Sequence, residues 1–261
     1  MLSRIGMAGR DHVDYQHAMM DDRAFPLLIV GGSAEARALA RALPGARLHL
    51  PVAERVPEAG PPPDSMGRVT PDWLAAQGLR AVIEAAHPCD AGTAHDVAAA
   101  CRACRVPHLQ LVRPAWRAGR GDRWVDVWAA RDLARVVPPE ARVFATLGRG
   151  GMADIRALRG PVFARLLGAP DGAFPLRRGR FVPGQGPFSV ADEMRLLRRL
   201  RIDWLVLRNA GGPGGWPKLA AARALGLRVA MLRRPVRPGG ARVRDVKGAL
   251  AWLRRIQISG G

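Results

Sequence analysis

The chain has 261 residues with 41 basic and 22 acidic side chains, which gives a formal net charge of +19 at neutral pH. This length is sufficient for two α/β domains of roughly 100–120 residues each. Its three cysteines argue against a disulfide framework and favour a reducing compartment, the cytoplasm. No run of about 18 apolar residues occurs, which argues against a membrane-spanning helix.

The positive charge alone is typical of proteins that bind nucleic acid or another polyanion. However, only Lys218 and Lys247 are lysines, and the arginines are spread along the whole chain, as codon bias in a GC-rich genome would produce. A phenylalanine-rich strand of the kind that binds RNA is not present. A basic nucleic-acid-binding protein therefore remains an alternative, and a polyanionic small molecule explains the arginines equally well.

The first half of the chain predicts one α/β domain over residues 25–120. Residues 1–24 lack the apolar segment of a signal peptide and are predicted to form a poorly ordered extension. Apolar runs alternate with amphipathic segments, which predicts a parallel, doubly wound sheet. Strands are expected near 26–30, 47–52, 81–85 and 108–112, with helices near 34–43, 71–77 and 91–104.

The first strand ends in Gly31-Gly32, and Ser33 is a candidate N-cap for the alanine-rich helix that follows. The string GGSAEA differs from the dinucleotide motif G-x-G-x-x-G, because Glu35 stands where the third glycine would fall. The motif alone is therefore weak evidence for a nucleotide site.

His87 follows the strand near 81–85 at the expected carboxyl edge of the sheet. Because histidine titrates near neutral pH, His87 is a candidate proton donor. Carboxylate binding, helix capping and packing beneath the loop are the alternatives. Cys101 and Cys104 form a C-x-x-C inside a helix without a second pair downstream, which favours helix packing over a zinc site.

The second half predicts another α/β domain, residues 121–261, entered through a crossing segment near 113–137. Strands are expected near 142–146, 162–166, 203–207 and 228–232, with helices near 130–137, 151–157, 190–200 and 217–225. Each half therefore begins its sheet with a strand that ends in a glycine-bearing loop, and no internal repeat is exact.

The loop after the strand near 203–207 contains four glycines, followed by Pro217 and Lys218. An anion over this loop would meet free backbone N–H groups, a helix dipole and an ammonium group. A shorter connection would join the two elements equally well. We therefore expect a binding loop here rather than a simple connection.

Six short motifs occur along the chain in a fixed order. They are GGSAEAR (31–37), AAHPCDA (85–91), RPAW (113–116), TLGRG (146–150), GPFS (186–189) and RNAGGPGGWPKLAAARALGL (208–227). In this order and spacing the chain resembles the precorrin-6A reductase family of cobalamin biosynthesis over residues 25–236. A short-chain reductase is the poorer match, because the Tyr-x-x-x-Lys pair typical of that class is absent and Tyr15 is the only tyrosine.

The resemblance implies two Rossmann-like, doubly wound domains with parallel sheets and a substrate cleft between them. It implies an oxidoreductase that uses NADPH to reduce a carbon–carbon double bond of precorrin-6A, which gives precorrin-6B. Reduction of cobalt-precorrin-6A with NADH is the alternative. Hydride transfer requires no nucleophile or protein-bound metal, because the cofactor carries the chemistry.

The resemblance also suggests which residues form the site. Those expected to bind the cofactor are Gly31, Gly32, Ser33, Ala34, Glu35 and, for the 2′-phosphate, Arg55. Those expected to bind the substrate are Arg37, Arg149, Ser189, Arg208, Gly212 and Lys218. Arginine suits a polycarboxylate tetrapyrrole because it pairs with planar carboxylates through two parallel hydrogen bonds. The expected partner is this small molecule, with neither nucleic acid nor a membrane, and a monomer is compatible with it.

Overall fold

The computed structural model describes residues 25–53, 61–148, 151, 153–170 and 172–259, so the predicted extension at 1–24 lies outside the described residues. The strands are β1 Leu27–Val30, β2 Arg47–Leu50, β3 Ser65–Met66, β4 Ala81–Glu84, β5 His108–Leu111, β6 Arg123–Val127, β7 Val143–Thr146, β8 Val162–Leu167, β9 Gly179–Gly184, β10 Trp204–Arg208, β11 Arg228–Leu232 and β12 Arg242–Val243. The helices are α1 Ala34–Ala42, α2 Pro71–Ala75, α3 Ala91–Ala103, α4 Leu133–Val136, α5 Val190–Arg199, α6 Trp216–Ala224 and α7 Val246–Ser259.

The strands form two six-stranded sheets in which every pairing is parallel. The first sheet has the order β3-β2-β1-β4-β5-β12, and the second has the order β9-β8-β7-β10-β11-β6. Both match the Rossmann order 3-2-1-4-5-6, which confirms the predicted fold class. The direction of winding reverses between β1 and β4 in the first sheet and between β7 and β10 in the second.

The two sheets exchange their sixth strands. β6 follows β5 in the chain but pairs with β11 of the second sheet, and β12 follows β11 but pairs with β5 of the first sheet. After β12, helix α7 packs Trp252 and Leu253 into the core of the first domain, against Leu27 and Ile29. This arrangement corrects the predicted boundary, because β12 and α7 belong to the first domain although they lie within residues 121–261.

Capping side chains mark the starts of two predicted helices. α1 begins where the Ser33 hydroxyl accepts a hydrogen bond from the Ala36 amide at 3.2 Å, and α3 begins where the Asp90 carboxylate accepts one from the Thr93 amide at 3.1 Å. The helix predicted near 151–157 is only a 3-10 turn at Asp154–Ala157.

The sequence did not predict β3, β6, β9, β12 or α7. Two of these strands have only two residues each. β6 is a mostly exposed edge strand, and β9 contains glycine and proline, which are unfavourable in strands.

The cores lie on both faces of each sheet, as expected for parallel sheets covered by helices. Cys101 packs in one of these cores, and burial raises the pKa of its thiol to about 12. Among the described residues, no helix has the length and apolar character needed to cross a membrane.

Candidate active site

The carboxyl ends of the two sheets share a cavity of about 500 Å³. Its lining comes from the segment after β4 and from the ends of β7 and β10 with the residues that follow them: His87, Cys89, Asp90, Thr146, Leu147, Gly148, Arg208 and Ala210. The direction of winding reverses next to β4 in the first sheet and between β7 and β10 in the second sheet. Open α/β sheets bind ligands at these points, and here both points face one space.

The turn between β1 and α1 leaves its backbone open beside this cavity. Gly32 is exposed and has φ of +114°, and a Cβ added there would come no closer than 3.6 Å to any neighbouring atom. The Ser33 hydroxyl donates to the Ala85 carbonyl at 2.7 Å, which fixes the turn against the end of β4. Because the first amides of a helix lack partners within the helix, the start of α1 suits an anion.

Arg113, just after β5, connects the two domains. One of its terminal nitrogens lies 2.5 Å from a carboxylate oxygen of Glu35 in the first turn of α1, and its Nε donates to the Ala210 carbonyl at 2.9 Å. The Glu35 charge at the start of α1 is thereby balanced by a guanidinium.

The glycine-rich loop after β10 is held against the crossing segment. The Trp116 indole donates to the Gly212 carbonyl at 2.9 Å. The Trp116 amide donates to the Asn209 side-chain oxygen at 2.8 Å, and the Asn209 amide group donates back to the Trp116 carbonyl at 3.0 Å. The loop therefore forms an interface between the domains.

Three of the loop's glycines are required by this packing. A Cβ on Gly211 would overlap the Pro114 carbonyl oxygen, and one on Gly215 would overlap the Trp116 ring. A Cβ on Gly212 would lie 2.9 Å from the Arg113 side chain. The crossing segment therefore occupies the space that the missing side chains of these three glycines leave, and anion binding by the loop stays a prediction.

His87 is a neutral ring with a hydrogen-bond donor on Nε2. Its Nδ1 accepts a hydrogen bond from the Cys89 amide at 3.2 Å, so the neutral ring carries its proton on Nε2. Burial is the largest of the effects that lower the pKa of His87 to about 4; the positive charges of Arg113, Arg208 and Arg234 act in the same direction, and Asp90 opposes them. The ring is therefore uncharged at neutral pH.

Arg208 and Arg234 bring positive charge to the second-domain side of the cavity. Arg208 forms an ion pair with Asp154 at 2.6 Å, and its buried Nε has no hydrogen-bond partner among the described residues. Arg234 donates to the carbonyl groups of Asn209, Arg113 and Ala210 at 2.7–3.0 Å.

Arg113 and Arg234 were not predicted as site residues, although a signal was present. The string Leu-x-Arg-Pro occurs at 111–114 and again at 232–235. β5 and β11, which end at the leucines of these strings, occupy the fifth position in their respective sheets. The repeat therefore marks equivalent points in the two domains.

Comparison with known proteins places the chain in one family. Residues 26–254 match the family model described as precorrin-6x reductase CbiJ/CobK. The chain belongs to this family. It is 38% identical to the precorrin-6A reductase of Rhodococcus erythropolis over 242 residues, which is 87% of this chain and 96% of the relative. It is 35% identical to the precorrin-6A reductase of Rhodobacter capsulatus over 240 residues, which is 87% of this chain and 95% of the relative.

A solved structure of the CobK precorrin-6A reductase superposes with a TM-score of 0.82 at 33% identity, and the match covers 89% of this chain and 97% of that one. The resemblance stated from the six motifs is therefore confirmed, as is the two-domain parallel α/β architecture.

The substrate residues expected for this family are only partly gathered at the cavity. Arg208 lines it together with His87. Among the described residues, Arg37, Ser189, Gly212 and Lys218 are not part of its lining. Arg55 and Arg149 lie outside the described residues.

Gly212 faces the Arg113 side chain, and the other three residues have local partners. Arg37 is buried and donates to the Pro61 carbonyl. The Ser189 hydroxyl caps α5 by accepting from the Asp192 amide at 3.1 Å. Lys218 has its ammonium 3.5 Å from the Gly215 carbonyl.

Proposed function

We propose that this family member is a precorrin-6A reductase that uses NADPH to reduce one carbon–carbon double bond of the macrocycle, which gives precorrin-6B. The observation that carries the proposal is the 500 Å³ cavity at which the reversal points of both sheets meet. A cofactor held by one sheet and a macrocycle held by the other would face each other there. The family and the precorrin-6A reductases to which the chain is similar supply the substrate class.

The turn between β1 and α1 fits a dinucleotide phosphate. Gly32 is exposed and carries no side chain, the start of α1 offers amide hydrogens, and Glu35 is balanced by Arg113. In this proposal Gly31, Gly32, Ser33, Ala34 and Glu35 hold the cofactor, which supplies a hydride when bound. Arg55 is proposed to select NADPH over NADH.

His87 and Arg208 are proposed to bind the carboxylates of the substrate. Arg208 offers an unused Nε donor, and the neutral His87 ring offers its Nε2 hydrogen. A carboxylate bound here would offset the surrounding arginines, so it would raise the pKa of His87 and allow the ring to take up a proton. Arg113 and Arg234 act by holding the two domains at a fixed separation, which aligns the reactants.

The direct test combines the purified protein with precorrin-6A and NADPH under anaerobic conditions. We expect NADPH to be oxidised and the tetrapyrrole mass to increase by two hydrogen atoms. Parallel reactions with NADH, and with the cobalt-containing substrate, measure both preferences. The proposal fails if precorrin-6A is not reduced with NADPH, and its cofactor assignment fails if NADH is used equally well.

A further inference from the structure

A second cavity, of about 450 Å³, lies in the second domain between the ends of β8 and β9 and the first turns of α5. We call it the side pocket. The lining residues that matter here are Arg165, Gly184, Phe188, Glu193, Arg195 and Arg199. Neither the cofactor turn nor the residues proposed above to bind substrate belong to it.

Arg165 is the central group of the side pocket and is only 8% exposed. One terminal nitrogen lies 3.4 Å from a Glu193 carboxylate oxygen, and the guanidinium stacks on the Phe188 ring at 4.1 Å. Its Nε and Nη1 atoms are buried without a hydrogen-bond partner among the described residues, and so is the second oxygen of Glu193. Unpaired buried donors are costly, so this guanidinium has binding capacity that the protein itself does not use.

A glycine in the wall of the side pocket leaves space next to the unpaired nitrogens of Arg165. A Cβ on Gly184 would lie 3.0 Å from both the Arg165 Nη1 atom and the Phe188 ring. Glycine at this position therefore keeps the space beside the guanidinium open.

The side pocket and the active-site cavity are neighbours. The pairing of Ala145 with Ala164 places the next residues, Thr146 and Arg165, beside each other on adjacent strands, which lie about 4.8 Å apart. Their side chains point to the same face, because Phe144 and Phe163, two residues earlier, share one core. Thr146 lines the active-site cavity, so Arg165 lies beside a residue of that cavity on the neighbouring strand.

The charges of the side pocket favour a single carboxylate. Arg195 is paired with Asp192, and Glu193 offsets part of the Arg165 charge. The three arginines of the lining, Arg165, Arg195 and Arg199, face two carboxylates, Asp192 and Glu193, so the lining has one excess positive charge. Lys218 lies close enough for Glu193 and Arg165 to influence its pKa, which burial lowers.

We propose that the side pocket binds one acetate or propionate side chain of the tetrapyrrole and that Arg165 is its ligand. A planar carboxylate matches two parallel donors of a guanidinium. This inference rests on the proposed function, because it assumes a polycarboxylate macrocycle in the active-site cavity.

The test compares Arg165→Gln with Glu193→Gln, and uses Arg198→Gln as the control. Arg198 is an exposed arginine on α5, the helix that carries Glu193, and it does not line the side pocket. We expect Arg165→Gln to raise KM for precorrin-6A about 10- to 100-fold, as for a lost charged hydrogen bond, with kcat and KM for NADPH unchanged. Glu193→Gln should lower KM for precorrin-6A, because it removes the carboxylate that competes for Arg165. The control should leave all three constants unchanged.

Arg165→Gln leaves Glu193 buried without its partner and can prevent folding. The double variant Arg165→Gln/Glu193→Gln removes both charges and should still show the raised KM.

If the ion pair is only structural, the single variants lower the melting temperature and KM for precorrin-6A does not change, which overturns the inference. Wild-type protein that does not reduce precorrin-6A would overturn the proposed function and this inference together. Normal wild-type turnover with an unchanged KM in the folded variants would overturn this inference alone.

Discussion

The two domains use the same local sequence signature, a strand followed by glycines and a helix, for different purposes. In the first domain, Gly32 is exposed and a Cβ there would meet ordinary contact distances. In the second domain, Cβ atoms on Gly211 and Gly215 would overlap the crossing segment at Pro114 and Trp116. Glycine thus leaves open space beside the backbone in one loop and makes room for another part of the chain in the other.

The difference follows from the exchange of the sixth strands. Because β6 and β12 each join the opposite sheet, the chain must cross between the domains twice. The first crossing begins at Arg113 and the second at Arg234, and hydrogen bonds from these residues place both against the loop after β10. A strand-loop-helix signature therefore identifies the end of a sheet, and what occupies that end depends on the path of the chain.

The exchange of the sixth strands brings α7 into the first domain, and removing a side chain of α7 predicts the largest effect on stability. Trp252→Ala should destabilise the protein by about 3–5 kcal/mol, because it removes a large buried ring from the first domain's core. Trp128→Ala is the matched control, since Trp128 is 74% exposed, and it should cost less than about 1 kcal/mol. Chemical denaturation measures both. Equal effects would show that α7 does not complete that core.

The packing role of the second loop predicts the next largest effect. Gly211→Ala should destabilise the protein by about 2–4 kcal/mol, through overlap with Pro114 and an unfavourable φ of +71°. Gly214→Ala should change stability by less than about 1 kcal/mol, because no atom lies within 4 Å of its added Cβ. Thermal unfolding compares the two variants. An unchanged melting temperature in Gly211→Ala would argue against close packing between the loop after β10 and the crossing segment.

The binding role of the first loop predicts a loss of affinity in a folded protein. Gly32→Val should weaken NADPH binding at least tenfold, about 1.4 kcal/mol, because a side chain blocks the approach to the backbone. Gly78→Val is the control, since Gly78 also has a positive φ of +61° but no atoms near its Cβ. Cofactor titration by fluorescence separates them. Equal affinity in both folded variants would remove the cofactor from this turn.

The cationic side of the cleft predicts a pH-dependent effect on stability. The pKa of His87 is about 4 in the folded protein against an ordinary value of 6.5, so the neutral ring favours folding above pH 6.5 and this contribution is lost as pH falls toward 4. It amounts to up to about 3 kcal/mol. His87→Gln should therefore flatten the loss of stability between those pH values, as measured by denaturation at each pH.

The same variant distinguishes binding from proton donation. We expect His87→Gln to raise KM for precorrin-6A about tenfold, as for one hydrogen bond to a charged group, with little change in kcat. A fall in kcat of about 100-fold or more would instead identify His87 as the proton donor. His108→Gln is the control, because His108 also has a pKa of about 4 but lies at the start of β5, away from the carboxyl edge.

The sequence determined the elements whose signals are local. Four buried apolar residues identified β1, the Ser33 and Asp90 side chains marked the starts of α1 and α3, and the ordered motifs identified the family. His87 was found because it follows a buried strand, and the carboxyl ends of parallel strands meet at one edge. Arg208 was found through the family resemblance. These features depend on neighbouring residues, so the sequence contains them directly.

Only the tertiary structure decided which sheet each short edge strand joins and what each glycine faces. The sequence of β12, Arg242-Val243, is compatible with either sheet, and its place depends on contacts of α7 with residues more than 200 positions earlier in the chain. The pairing of Arg113 with Glu35 and the partial pairing of Arg165 with Glu193 likewise depend on the strand registers. Long-range contacts of this kind leave no local periodicity, because they arise only once both sheets have formed.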